Sequence, residues 1–212
     1  MAIRSLAPTQ SVARRPFTSV RLYDRDQAIL GYMLEDLRAT LARGEPDRYH
    51  AYPPMEWEVN GLHRRTIVSA PLRLNEPGDV YVVGFFGERY LDRDITPLEE
   101  ANAEIVLEFR NFHGILSYSS MELADGNWAN LVLHDLPDTR DQWRASAIHA
   151  KAALQLAPVF YETVRIHNGY LPGGIGGGGS IEIERTKYWD YRKSRVWHAV
   201  RELRETHHGL AH

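Results

Sequence analysis

The sequence predicts an α+β fold whose main unit, residues 76–212, runs strand, helix, strand, strand, helix, strand. Three observations carry this expectation. Residues 79–88 are a nearly continuous apolar run (Val80, Tyr81, Val82, Val83, Phe85, Phe86), too short for a core helix and rich in β-branched and aromatic side chains, as a central strand requires. Thr96-Pro97-Leu98-Glu99 joins an N-cap, a proline suited to the first helical turn and a capping-box acid. Asp125-Gly126 separates two further strand-like runs, 116–123 and 128–134, and Thr139 with Gln142 repeats the capping signal after them.

Taken in order, residues 1–15 form a loose arm without the apolar stretch of a secretory signal. Residues 24–43 place Ile29, Leu30, Met33, Leu34, Leu37 and Leu41 at spacings of three and four, the stripe of an amphipathic helix that Gly44 and Glu45-Pro46 close. Met55-Glu56-Trp57-Glu58-Val59 alternates with period two, Asn60-Gly61 is the favoured two-residue hairpin turn, and 65–70 returns. Pro53-Pro54 and Asn75-Glu76-Pro77-Gly78 bound this region, so residues 1–75 read as an N-terminal extension of helix and hairpin that covers an edge or a face of the main sheet. In the main unit, the helix after Thr96 buries Ala101, Ile105, Phe109 and Phe112 and stops at Gly114. The helix launched at Thr139 carries Trp143, Ser146 and His149 as far as Pro158; residues 159–167 suit either a second short helix or an extended segment. Residues 171–180, with six glycines and a proline, read as a flexible connection, 180–189 as the last strand, and Val196, Trp197, Val200 and Leu203 as the stripe of a C-terminal helix.

Composition excludes several classes of function. With 43% apolar and 25% charged residues, the 212-residue chain has the makings of a folded, water-soluble protein of one large domain, or of one domain with an extension. A net charge of -3 with both signs dispersed offers no basic surface for nucleic acid. No run approaches the roughly 20 apolar residues that span a bilayer, so the expectation is no membrane partner and a cytoplasmic location. The absence of cysteine removes thiolate nucleophiles, disulfides and cysteine-ligated metals.

The βαββαβ order is a ferredoxin-like arrangement, which leaves one face of its sheet for a partner. At Trp143-Arg144-Ala145-Ser146-Ala147-Ile148-His149, followed by Ala152, the sequence resembles the antibiotic-biosynthesis monooxygenase-like group of the dimeric α+β barrel superfamily. The resemblance covers about residues 79–191. It implies a homodimer whose two sheets close into a barrel, with a pocket between each sheet and its own helices. It also implies oxidative chemistry on an aromatic or polyketide-like small-molecule substrate, with either no cofactor or haem. The chain departs from the haem-degrading branch in having no Asn in strand 80–88.

His149 is the leading candidate for chemistry, because Ser146, Ala152 and Ala153 leave room beside it for a flat ligand. A neutral imidazole with an unperturbed pKa of about 6.5 can ligate haem iron or take a proton from a phenol. It can equally be a histidine satisfied within the helix-to-sheet interface. Trp143 lies about 120° around the helix from His149 at 3.6 residues per turn, so the two border one cavity without stacking, and Trp143 can as well be core. Tyr118, Asn130 and His134 lie on inner strands where some of them can point polar groups into a pocket. Arg165 and His167 can hold a carboxylate or a haem propionate, or be solvated at the surface. Residues 173–179 lack a following Lys-Ser/Thr and lead into a strand, so they do not cradle phosphate; a mobile lid or plain connection suits them. No metal site is expected, His207, His208 and His212 reading as a frayed tail. A non-catalytic dimeric binding module is the alternative to an enzyme.

Overall fold

The computed structural model describes residues 3–43 and 54–203. Its elements, in chain order, are β1 (Arg4–Leu6), α1 (Val20–Arg43), β2 (Met55–Val59), β3 (Leu62–Val68), α2 (Pro71–Leu74), β4 (Val80–Arg89), α3 (Thr96–Glu108), β5 (Ile115–Glu122), β6 (Trp128–His134), α4 (Pro137–Arg144), α5 (Ala147–Lys151), α6 (Ala157–Phe160), β7 (Tyr161–Leu171), β8 (Glu182–Asp190) and β9 (Trp197–Glu202). All nine strands join one sheet in the order β1-β9-β8-β7-β4-β6-β5-β3-β2. Only β1 and β9 pair parallel; every other neighbour is antiparallel.

This corrects the predicted fold. β4, β5, β6 and β7 are the middle of a nine-stranded sheet built from a single chain, not a four-stranded ferredoxin-like unit that needs a second copy to close a barrel. The chain is a large α+β domain, and the resemblance to the monooxygenase-like dimeric barrels is withdrawn with the fold that it implied. The 55–68 hairpin extends the sheet beyond β5, because Arg64 to Val68 pair with Met121 to Ser117. Its turn is as the residues require, with Asn60 at φ +53° and Gly61 at φ +76°. The predicted C-terminal helix is the strand β9, in which Ala199 and Arg201 are buried. An apolar pattern that meets helical spacing also suits a strand when the segment pairs on both edges, as β9 does with β1 and β8. The expected stop at Gly44 to Pro46, and His207, His208 and His212, lie outside the described residues.

Two apolar layers sandwich the sheet. Leu30, Met33, Leu34 and Leu37 of α1 pack on Val82, Phe86, Leu131, Leu133 and Leu171 on one face. Gly84 permits this close approach, since a Cβ there would lie 2.6 Å from Leu30 Cδ1. On the other face Ile67, Tyr118 and Val132 meet Val106 of α3, Phe109 just after it and Trp143 of α4. The glycine-rich segment after β7 is tied down rather than loose. Arg38 of α1 donates to the Ile175 and Gly179 carbonyls at 3.0 and 2.9 Å, Gly173 N–H donates to Asp79 Oδ1 at 2.9 Å, and Ile175 is buried. No described helix is long and apolar enough to cross a membrane.

Candidate functional site

The sequence-predicted site residues divide between the two faces of the sheet. On the α3 face an aromatic row runs from Tyr118 through Phe109 and Trp143 to His149, with ring centroids 4.9, 5.4 and 4.6 Å apart. Asn130 belongs to this side too, two residues from Val132 and opposite Ser120 of β5. Trp143 and His149 meet edge to face at 65°, which a continuous helix would forbid. The helix is interrupted instead. Ser146 takes an extended conformation (φ -62°, ψ 147°) and caps α5, accepting from the His149 backbone N–H at 3.1 Å while its hydroxyl donates to Glu108 at 2.8 Å. The serine of the motif therefore breaks and restarts the helix. Burial, reinforced by the Arg144 charge, pushes the His149 imidazole down to about 4, so it is neutral at pH 7.

Arg165 and His167 lie on the α1 face and converge on Asp26, a fully buried carboxylate of α1. Arg165 donates to both carboxylate oxygens, Nε to Oδ2 at 2.6 Å and Nη2 to Oδ1 at 3.1 Å, and reaches Glu88 with Nη1 at 2.9 Å. His167 Nε2 lies 3.0 Å from Asp26 Oδ2, and Nδ1 lies 2.9 Å from Thr186 Oγ1. Burial alone would raise the Asp26 carboxyl, but the His167 hydrogen bond and the Arg165 charge outweigh it and hold the group below the usual carboxylate range. Burial lowers His167. An ionised carboxylate cannot donate, so neutral His167 carries its proton on Nε2 and accepts from Thr186 at Nδ1. Asp26, Arg165, His167 and Thr186 of this network are buried, and Glu88 carries it to the surface. The network joins α1 to β7 and β8, and its two β7 residues are not free to hold a carboxylate or propionate.

The expected haem set is thus split by the sheet: one flat group cannot touch both His149 and the Arg165–His167 pair, and the residues do not fit haem as proposed for them. Among the described residues no cluster of three or more His, Asp or Glu side chains could hold a metal ion.

A groove of about 530 Å³ lies on the α1 face between α1, the β2–β3 hairpin and the end of β5. Its apolar lining comes from Ala28, Ile29, Val59, Leu62, Met121 and Leu123. Arg64 also lines it and is only 8% exposed, with its Cζ 5.3 Å from the Tyr32 ring centroid.

No protein-family model matches the chain, and no curated protein matches it. Among solved structures, the crystal structure of protein SO0527 from Shewanella oneidensis is similar at 14% identity and a TM-score of 0.39, over 45% of this chain and 92% of that one. A likeness of that size carries no argument about function.

Sequence reasoning missed both Asp26 and Arg64, although each leaves a trace. Asp26 falls at i−4 and i−7 from Leu30 and Met33, inside the apolar stripe of α1. Arg64 shares strand parity with Leu62, Thr66 and Val68, so it points inward at a position where an apolar residue is expected.

Proposed function

We propose that the protein is a small-molecule binding module whose ligand lies in the groove between α1 and the β2–β3 hairpin. The groove carries the proposal. It is an open groove, its volume falls within the roughly 300 to 1,000 Å³ of ligand sites, its walls are mainly apolar, and a helix, a hairpin and the end of β5 form them. The expectation of a small-molecule ligand is kept from the sequence and moved away from His149, whose ring is packed against Trp143.

A neutral environment-sensitive dye, Nile red, tests the proposal. It is expected to bind saturably with a blue shift in emission. Ala28→Trp, on an exposed helical position at the groove, is expected to weaken that binding at least tenfold while the circular dichroism spectrum is retained. Equal binding by the variant would place the dye elsewhere and overturn the proposal.

A further inference from the structure

Arg64 is the feature of the groove that the fold itself does not explain. Three arginines of the described chain are buried to below a tenth of their surface: Arg64, Arg165 and Arg201. Arg165 is paired with Asp26 and Glu88, and Arg201 donates to the Tyr188 hydroxyl and to the Gln10 and Thr18 carbonyls, each at 2.6 Å. Arg64 has neither. Its Nε and Nη1 are buried without a hydrogen-bond partner, and its guanidinium lies over the Tyr32 ring. A guanidinium stays charged at any physiological pH, and a buried charge is strongly disfavoured unless something pairs with it.

The second cation lining the groove is already paired, and the groove's carboxylate, Glu122, has a backbone partner but keeps its negative charge. Arg25 is bound to Asp125 at 3.0 Å, and Glu122 accepts the His63 backbone N–H at 3.1 Å. The open valence of the site is one cation set among Ile29, Leu62, Met121 and Leu123.

We infer that the ligand of this groove is an amphipathic monocarboxylate, its carboxylate paired with Arg64 and its apolar body lying along α1 and β5. The inference rests on the groove being the binding site. A carboxylate can approach the guanidinium at Nη2, the nitrogen that is not buried, and would set a negative charge against the one that Arg64 carries without an ionic partner. A phosphate would bring a second negative charge to a site with a single uncommitted cation and Glu122 on its rim. A cationic ligand would meet Arg64 at close range.

The test is displacement of Nile red by octanoate, octan-1-ol and octyl phosphate from the wild-type chain and from Arg64→Met, whose side chain keeps the length and removes the charge. Octanoate is expected to displace the dye at a concentration at least tenfold below that of octan-1-ol. Arg64→Met is expected to erase this difference, octanoate then needing the same concentration as octan-1-ol. Its melting temperature should equal or exceed that of wild type, because an unpaired buried charge is removed. Equal displacement by acid and alcohol in wild type, with the dye still excluded by Ala28→Trp, would overturn the carboxylate and leave the groove standing. Preference for octyl phosphate would overturn it in favour of a phosphate. Should Arg64→Met fail to fold, Arg64 is a structural residue and the inference falls. Dye binding that ignores Ala28→Trp would remove the groove itself.

Discussion

Asp26 decides whether α1 can lie on the sheet. It is an acid at a fully buried helical position, held by three hydrogen bonds from Arg165 and His167. Asp26→Asn preserves shape but leaves the Arg165 guanidinium with Glu88 alone, and removing one partner of a buried pair costs about 3 to 5 kcal/mol. Urea unfolding should show a loss of about 3 kcal/mol; a loss under 1 kcal/mol would mean that water or Glu88 already satisfies the arginine. His149 makes a pH-dependent contribution of defined sign. Its folded pKa of about 4 lies below the unfolded value of about 6.5, so the unfolded chain takes up the proton first as pH falls. Stability is therefore unaffected by this group above pH 6.5 and declines between pH 6.5 and 4, by up to about 3 kcal/mol. Unfolding free energies measured across that window should fall less steeply for His149→Gln than for wild type.

At the level of elements, bulges and helix breaks do what regular periodicity cannot describe. The β7–β8 ladder shifts register between Asn168 and Gly169, and a Cβ at Gly169 would lie 2.0 Å from the Glu182 carbonyl oxygen. The obstacle is backbone, which cannot rotate aside as a side chain would. Gly169→Ala is expected to cost more than about 2 kcal/mol, near the middle of the range for overpacking, whereas Gly176→Ala, where a Cβ meets open space, should cost little. Thermal melts of the two variants give the comparison. Ser146 shows the same point in a helix. A capping serine was readable only as part of a spacing motif, because its role depends on Glu108, 38 residues earlier, accepting its hydroxyl. Once the helix restarts there, the angular separation computed for Trp143 and His149 no longer applies.

For the whole molecule, the sheet predicts how the chain opens. β4 and β7 pair over most of their length at the centre, while β1 contributes three residues at one edge and β2 five at the other. Native-state hydrogen exchange should find the slowest amides in β4 and β7 and faster exchange toward β1 and β2. A block comprising β8, β9 and β1 that exchanges in a separate step would show that the sheet is not one cooperative unit. α1 covers the face on which a second copy of the chain was expected, so the sheet has its apolar cover from residues of its own sequence.

The sequence by itself determined the local elements wherever a short-range signal was strong. The apolar run of β4, the Asn60-Gly61 turn, the stripe of α1 and the span of β6 all follow from residues within a few positions of one another. The charged residues Asp26 and Arg64 went unremarked in that reading, although each stands in an apolar pattern. Only the tertiary structure decided what those charges mean. Arg165 and His167 come to Asp26 from about 140 residues away, whereas among the described residues Arg64 meets the Tyr32 ring and no carboxylate. The number of strands was likewise a long-range matter. β9 and the 55–68 hairpin join the sheet through pairings with distant strands, and such contacts leave no period in the sequence.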